Sequence, residues 1–179
     1  MLSSLGVLFM RLLGRLPLAW VRALGWGLGW ALYAVVVPRR RVVRRNLALC
    51  FPQWTDAQRR ALVPQVFVHF ARAWLDRGWL WHGDPAVTRR RLALTGDVQA
   101  LAGSAPTVIF APHFVGLDAG WTALTQQLPR AFTTIYTDQA DKVVDAWIHA
   151  GRSRFGSGRL FGRADGVRTI VAALRAGEP

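Results

Sequence analysis

The sequence predicts an α/β protein, with a layered, largely parallel sheet flanked by helices and preceded by an N-terminal membrane helix. First, the segment Leu16–Val37 is apolar apart from one arginine. Second, the run TVIF (107–110) has no polar alternation, which is typical of a strand buried on both faces of a parallel sheet. Third, strand-like and helix-like segments follow residue 92 in the order β-α-β-α-α, which favours layers joined by right-handed crossovers.

The first 38 residues are predicted to anchor the chain in a membrane. As a helix, Leu16–Val37 would extend roughly 33 Å, which is about the thickness of one bilayer core. The sequence PRRRVVRRN follows, and the positive-inside rule places these arginines, and everything after residue 38, in the cytoplasm. Arg11, Arg15 and Arg22 share one helical face, so a helix lying in the membrane interface is the alternative.

Residues 39–91 are predicted to form a basic helical region. Thr55 and Gln58 make a capping-box pattern at the start of a helix, which Pro64 is expected to kink or interrupt. The chain has a net charge of +13, and fifteen arginines but only three acidic residues lie in residues 1–91. This distribution suits an anionic membrane or an acidic partner protein. Nucleic acid ranks lower, because the tryptophans sit among leucines rather than in a polar stacking platform.

Residues 92–179 are predicted to form the α/β core. Strands are expected at Leu92–Thr95, at 107–110 and within AFTTIYTD (131–138). Helices are expected at Leu117–Leu128, over KVVDAWIHAGRSRF (142–155), and over GRADGVRTIVAALRAG (162–177) with Asp165 near its start and Gly177 as its stop. The sequence ends at GEP, where the next strand should begin, so we expect an incomplete sheet and a fragment of a longer protein.

The segment FAPHFVGLDAGW (110–121) carries the candidate chemistry. His113 follows Pro112 at the carboxyl end of a predicted strand, where reactive groups gather in open α/β sheets. Asp118 lies in the first turn of the next helix, so its carboxylate can orient the imidazole while the other ring nitrogen takes a proton from a hydroxyl. Gly116 permits close approach of substrate or backbone. The alternative is a structural histidine beside an N-capping aspartate.

Three features that the sequence lacks limit the kinds of reaction and site that it predicts. The segment around His113 contains no serine or cysteine, which favours direct transfer to an external hydroxyl over a covalent intermediate. The chain has one cysteine, Cys50, so no intrachain disulfide is possible. No CxxC or paired Cys/His spacing occurs, so a zinc site is not predicted.

The stretch APHFVGLDAG (111–120) resembles the His-x4-Asp/Glu motif of the glycerolipid and lysophospholipid acyltransferases. More closely, the chain is similar to the late-stage lipid A biosynthesis acyltransferases, which are lauroyl and myristoyl transferases. The similar segments are the hydrophobic N-terminus, RRRVVRRNLALCFP, FAPHFVGLDAG and IYTDQADKVVDAWIHAGRSRFGSGRLFGRADGVRTIVAALRAGEP, in that order. The resemblance covers essentially all 179 residues, and it corresponds to the N-terminal part of such a protein.

The resemblance implies that an acyl group moves from an acyl carrier protein thioester to a hydroxyl of a lipid A precursor, at the cytoplasmic face of the inner membrane. It implies His113 as the general base and Asp118 as the group that orients it. It also implies substrate-binding arginines after the strand expected within 131–138, for which Arg152, Arg154 and Arg163 are the candidates. The expected partners are acyl carrier protein, the lipid A precursor and an anionic membrane. No metal or cofactor is implied, because the thioester is a substrate.

Other functions stay open at this point. The same histidine and aspartate would serve a glycerophospholipid or ornithine-lipid acyltransferase equally well. A truncated, catalytically silent chain that binds anionic membranes is an alternative of a different class. A nucleic-acid-binding module is least favoured, because the apolar N-terminus would have no role in it.

Overall fold

The computed structural model describes residues 1–103, 105–156, 158–162 and 166–175. The chain divides into two compact units, a helical unit Leu16–Asp76 and a second unit that combines Met1–Arg15 with Arg77–Pro179. The helices and strands of the described residues are α1 (Leu2–Leu13), α2 (Leu18–Val35), α3 (Val37–Cys50), α4 (Asp56–His82), α5 (Pro85–Arg91), α6 (Gln99–Ala102), α7 (Leu117–Gln127), β1 (Thr133–Tyr136), α8 (Lys142–Arg152), β2 (Arg159–Gly162) and α9 (Gly166–Arg175).

The helical unit is built around a small apolar core. Leu47, Val63 and Phe67 are buried, and six partly buried apolar side chains pack against them: Leu32, Tyr33, Val36, Val43, Phe51 and Leu62. The predicted capping box is confirmed at the start of α4, where the amide of Gln58 donates to Thr55 Oγ1 (3.2 Å) and the amide of Thr55 donates to Gln58 Oε1 (2.8 Å). Helix α4 continues through Pro64 without interruption.

Two glycines allow α2 to approach α4 closely within this unit. A Cβ added to Gly25 would lie 2.7 Å from Arg72 Cγ, and one added to Gly29 would lie 2.8 Å from the backbone nitrogen of Val68. The contact is reinforced by an ion pair between Arg22 and Asp76 at 3.1 Å. The Gly25-x3-Gly29 pattern therefore marks a close contact between two helices of the same chain.

The N-terminal membrane helix predicted at Leu16–Val37 is not supported. Among the described residues, no single helix is long and apolar enough to cross a membrane; α2 and α3 meet that test only as a pair, which is bent by 97°. The helix breaks because Val36 leaves the helical region (φ −91°, ψ 68°) and Pro38 opens α3. Helix α2 consequently has 18 residues, and the arginine-rich sequence forms a separate helix.

In the second unit, the end of α4 provides a surface on which other helices pack. Gly14, which follows α1, lies so close to α4 that an added Cβ would be 2.7 Å from the carbonyl oxygen of Gly78. Gly151 of α8 has no room for a side chain beside the buried ring of Trp81. The Trp81 ring also meets Trp147 of α8 edge to face, with 4.6 Å between the ring centroids.

The sheet is smaller than predicted. Strands β1 and β2 pair in parallel, with Thr133 opposite Arg159 and Tyr136 opposite Gly162, and α8 forms the crossover between them. The strand expected within 131–138 and the helices expected from Leu117, Lys142 and Gly162 onward are confirmed in type by β1, α7, α8 and α9. The predicted helix boundary residues Asp165 and Gly177 lie outside the described residues.

The strands predicted at Leu92–Thr95 and 107–110 were wrong. Both segments are irregular, and neither pairs with a strand in the part of the chain that the structure describes. Val108 and Phe110 are 82% and 90% exposed, so this apolar run does not enter a sheet core. In the first of these segments, Gln127 Nε2 donates to the backbone carbonyl of Leu92 at 2.8 Å.

Candidate active site

His113 lies in the irregular segment between α6 and α7, where its side chain is exposed. A tight turn follows it, in which the amide of Phe114 donates to the carbonyl of Pro112 at 2.7 Å. Gly116, the N-cap residue immediately before α7, then adopts a left-handed conformation (φ 93°), which favours glycine. The turn places Asp118 in the first turn of α7, as the sequence predicted.

Four of the predicted site residues line one cavity of about 540 Å³: His113, Gly116, Asp118 and Arg152. Most of the remaining lining side chains are apolar, and they include Val108, Ile109, Phe114, Leu124, Phe132, Ile170 and Leu174. The volume falls in the range of small-molecule sites. The structure thus brings a histidine, a carboxylate and a guanidinium to one largely apolar cavity.

Two arginines hold the Asp118 carboxylate. Arg77 Nε donates to Asp118 Oδ2 at 2.7 Å, and Arg152 Nε donates to Oδ1 at 2.9 Å. The three side chains are largely buried, with 17%, 22% and 12% of Arg77, Arg152 and Asp118 exposed. Such charge-assisted hydrogen bonds are stronger and shorter than neutral ones. Each carboxylate oxygen is therefore fixed by a separate guanidinium.

Aromatic residues hold Arg152 in turn. Trp121 Nε1 donates to the carbonyl of Arg152 at 2.7 Å, and the guanidinium carbon lies 5.6 Å from the ring centroid of Tyr136. The Tyr136 hydroxyl donates to Asp145 Oδ1 at 2.5 Å. Burial, followed by this bond to Asp145, raises the pKa of Tyr136 to about 12, while the same bond lowers the pKa of Asp145.

The histidine and aspartate are not joined in the predicted way. Within the described residues, no hydrogen bond connects His113 to Asp118, and the bonds that reach the aspartate side chain come from arginines. Nor do the described ranges contain a group of three or more His, Cys, Asp or Glu side chains that could hold a metal ion. The arrangement offers an exposed imidazole at a cavity that also contains a fixed carboxylate.

The other two predicted arginines have different positions. Arg154 directs its guanidinium to backbone, donating through Nη1 to the carbonyl of Leu80 at 2.9 Å and through Nη2 to that of Gly83. Burial lowers the pKa of Arg154. These carbonyls are at the end of α4, so Arg154 satisfies acceptors that a helix terminus leaves open. Arg163 lies outside the described residues.

Sequence reasoning missed Arg77. It is separated from Asp118 by 41 residues along the chain and belongs to no motif. Its signal in the sequence is weak: it is one arginine of a long helix that also carries Arg59, Arg60 and Arg72. Only the folded arrangement distinguishes it from the others.

Comparison with known proteins identifies relatives along almost the whole chain. A Lipid A biosynthesis acyltransferase of Haemophilus influenzae is 28% identical over 97% of this chain and 55% of its own length. The Lipid A biosynthesis lauroyltransferase of Escherichia coli is 28% identical over 99% of this chain and 58% of its own length. A second Haemophilus influenzae Lipid A biosynthesis acyltransferase is 33% identical over 96% of this chain and 55% of its own length. No solved structure matches the chain.

The chain spans a little over half the length of these curated relatives. The model of the bacterial lipid A biosynthesis acyltransferase family matches residues 1–179. This match agrees with the resemblance that the motifs around His113 and Asp118 indicated. The chain therefore belongs to the bacterial lipid A biosynthesis acyltransferase family.

Proposed function

We propose that this chain moves a fatty acyl group from an acyl carrier protein thioester to a hydroxyl of a lipid A precursor, at the cytoplasmic face of the inner membrane. The observation that carries the proposal is the cavity of about 540 Å³ that His113, Asp118 and Arg152 line together. Family membership supports the same reaction class, since the relatives are named for acyl transfer in lipid A biosynthesis.

His113 is the proposed general base. One ring nitrogen accepts the proton of the acceptor hydroxyl while the oxygen attacks the thioester carbonyl carbon. The new carbon–oxygen ester bond forms as the carbon–sulfur bond breaks, and the departing thiolate takes the proton from the imidazolium. Exposure of the imidazole on the cavity supports this role, because it leaves both substrates access to the ring.

Asp118 is proposed to compensate the positive charge that His113 gains. Its carboxylate is fixed by Arg77 and Arg152, so its position does not depend on the state of the histidine. A direct bond between the two side chains would form when substrates fill the cavity, since catalytic hydrogen bonds often tighten only in the substrate complex. Gly116, which lacks a Cβ, would let the acceptor approach the turn between them.

The cavity walls suggest where each substrate lies. The apolar side chains would surround the acyl chain and exclude water from the thioester. The bond to Asp118 uses one of the five donors of Arg152, so its other donors are proposed to contact anionic groups of a substrate. Arg163 is proposed as a further phosphate ligand. We assign Arg154 a structural role instead, because its donors already bind carbonyl groups of α4 and the residue after it.

Membrane association is proposed to involve the first three helices. In α1, five large apolar side chains are exposed: Leu2, Leu5, Leu8, Phe9 and Leu12. In α2, Trp20, Trp26 and Trp30 are also exposed, and tryptophan favours the headgroup layer. The arginines of α3 would bind anionic headgroups.

The test is acyl transfer by the protein, with lauroyl thioester of acyl carrier protein as donor and a lipid A precursor in vesicles as acceptor. We expect His113→Ala to lower the transfer rate by roughly 10²–10⁴-fold while vesicle binding is retained. His69→Ala is the matched control, because His69 is an exposed histidine of the helical unit. It should transfer at the wild-type rate.

The same assay separates the alternatives. Transfer to a glycerophospholipid or ornithine-lipid acceptor, with none to the lipid A precursor, would replace the proposed acceptor. If neither the wild type nor His113→Ala transfers to any acceptor, the catalytically silent membrane-binding interpretation is favoured. Equal rates for the wild type and His113→Ala would refute the role of His113.

A further inference from the structure

We infer that Arg77 is a positioning residue for acyl transfer, which acts by fixing the Asp118 carboxylate. The inference rests on the proposed function and adds to it a residue from a distant part of the sequence. Arg77 lies on α4, whereas Asp118 lies on α7 and Arg152 on α8. Three helices therefore meet at one carboxylate.

The two arginines restrict the carboxylate in a complementary way. Arg77 Nε bonds Oδ2 at 2.7 Å and Arg152 Nε bonds Oδ1 at 2.9 Å, so rotating the carboxylate plane would break one of the bonds. With Arg152 alone, only one oxygen would be held. The bond from Arg77 therefore fixes the second oxygen, and with it the plane of the carboxylate. A catalytic carboxylate needs such a fixed plane to present a lone pair in a fixed direction.

Arg77 is itself held on a rigid support. Its guanidinium carbon lies 5.4 Å from the ring centroid of Trp81, one helical turn further along α4. Trp81 is 4% exposed, meets the ring of Trp147 and leaves Gly151 no room for a side chain. Because this support is closely packed, the bond from Arg77 transmits the position of α4 to the carboxylate.

A purely structural explanation accounts poorly for the second arginine. One guanidinium already neutralises one carboxylate, and the desolvation of a second largely buried guanidinium costs free energy. Asp118 and Arg152 line the cavity, whereas Arg77 does not appear among the described residues that line it. The bond to Asp118 therefore links Arg77 to a side chain that lines the cavity.

The first experiment compares Arg77→Met and Arg77→Lys in the whole protein, with lauroyl acyl carrier protein and the lipid A precursor as substrates. We expect Arg77→Met to lower kcat by roughly 10²-fold, as misplaced catalytic groups do, with KM for both substrates unchanged. Arg77→Lys should recover at least roughly tenfold of that loss, because the bond to Asp118 is single and an ammonium can make it.

Arg59→Met is the matched control. Arg59 is also a largely buried arginine, 19% exposed, that pairs with an aspartate at 2.5 Å, but it lies in the helical unit. Its replacement should leave kcat unchanged. Thermal unfolding of each variant identifies any that fail to fold, and rates are compared well below the lowest midpoint.

The second experiment is a double-mutant cycle with Asp118→Asn, and it remains informative if Arg77→Met is destabilised. If Arg77 acts through Asp118, adding Arg77→Met to Asp118→Asn should not lower kcat further. Additive losses in kcat, or a wild-type kcat for Arg77→Met, would overturn the inference. The proposed function fails in a distinguishable way: the wild type itself would not transfer, or His113→Ala would be fully active.

Discussion

The helical unit and the candidate-site region are held together by different kinds of contact. In the helical unit, α2 approaches α4 at Gly25 and Gly29, and an apolar core lies beside this contact. Around the candidate site, long polar side chains reach backbone carbonyls of the short helix α6 and of irregular segments. Arg130, for example, donates to Leu101 at 3.1 Å and to Ala105 at 3.0 Å.

The difference indicates how a site can be precise without regular structure around it. Apolar contacts are non-directional, so they hold helices together without fixing the orientation of one polar group. A charge-assisted hydrogen bond fixes direction as well as distance. The segment that carries His113 is mainly irregular, and side chains from α4 and α8 fix the carboxylate of Asp118 at the start of the helix that follows it. Losses of stability should therefore arise from packing in one region and from unpaired charge in the other.

The largest loss of stability is expected from Asp118→Asn. The substitution removes the negative charge that Asp118 presents to the largely buried side chains of Arg77 and Arg152, which should lower the free energy of unfolding by about 2–3 kcal/mol. Urea unfolding followed by circular dichroism measures this loss. Asp56→Asn is the control, because Asp56 is 74% exposed and pairs with one arginine, so little or no change is expected. Equal losses for the two variants would contradict the distinction between buried and exposed pairs.

A smaller loss of stability is expected from Gly29→Ala in the helical unit. The new Cβ would lie 2.8 Å from the backbone nitrogen of Val68, and backbone cannot move aside as a flexible side chain can. We expect a loss of about 1–3 kcal/mol in the free energy of unfolding, from overpacking.

On the same helix, we expect Gly27→Ala to stabilise the protein. An added Cβ at Gly27 has nothing within 4 Å, so alanine should raise the free energy of unfolding by about 0.5–1 kcal/mol. A gain for Gly29→Ala as well would show that the close contact between α2 and α4 does not limit stability.

The sequence predicted elements well where local preference and tertiary environment agree. The β-branched and aromatic run of β1 pairs with β2, and the capping box at Thr55 begins α4 as predicted. The run at 107–110 failed because its apolar pattern reports only local preference, whereas a strand also needs a neighbouring strand. The break at Val36 was missed because composition alone does not show where an apolar segment turns.

The candidate site could be predicted only in part for a related reason. His113 and Asp118 are five residues apart in one motif, so the sequence could place them near the same cavity. The arginines that hold Asp118 come from 41 and 34 residues away, and no local pattern distinguishes them. Arg154 is a further case, because the resemblance made it a candidate for substrate binding and no local pattern indicated that its guanidinium binds the carbonyls of Leu80 and Gly83.

The smallest expected effect is a pH dependence of the free energy of unfolding that arises from His82 in the second unit. His82 Nε2 accepts a hydrogen bond from Trp147 Nε1 at 2.8 Å, which requires that nitrogen to be unprotonated. Burial, followed by the charges of Arg11 and Arg154, lowers the pKa of His82 below 6.5. The unfolded chain therefore binds more protons than the folded chain between the two pKa values. The free energy of unfolding should fall as the pH drops through about 6.5 and should level off below the folded-state pKa.

His82→Gln tests this assignment, because the glutamine carbonyl can still accept the bond from Trp147 but does not titrate. Urea midpoints at about pH 7.5 and about pH 5.5 span the range in which histidine changes charge. The decrease between them should be smaller in His82→Gln than in the wild type. His69→Gln, an exposed position in the helical unit, should keep the wild-type decrease. If His69→Gln makes the decrease in the urea midpoint smaller and His82→Gln does not, the pH dependence arises in the helical unit. That outcome would contradict the assignment of this polar contribution to the second unit.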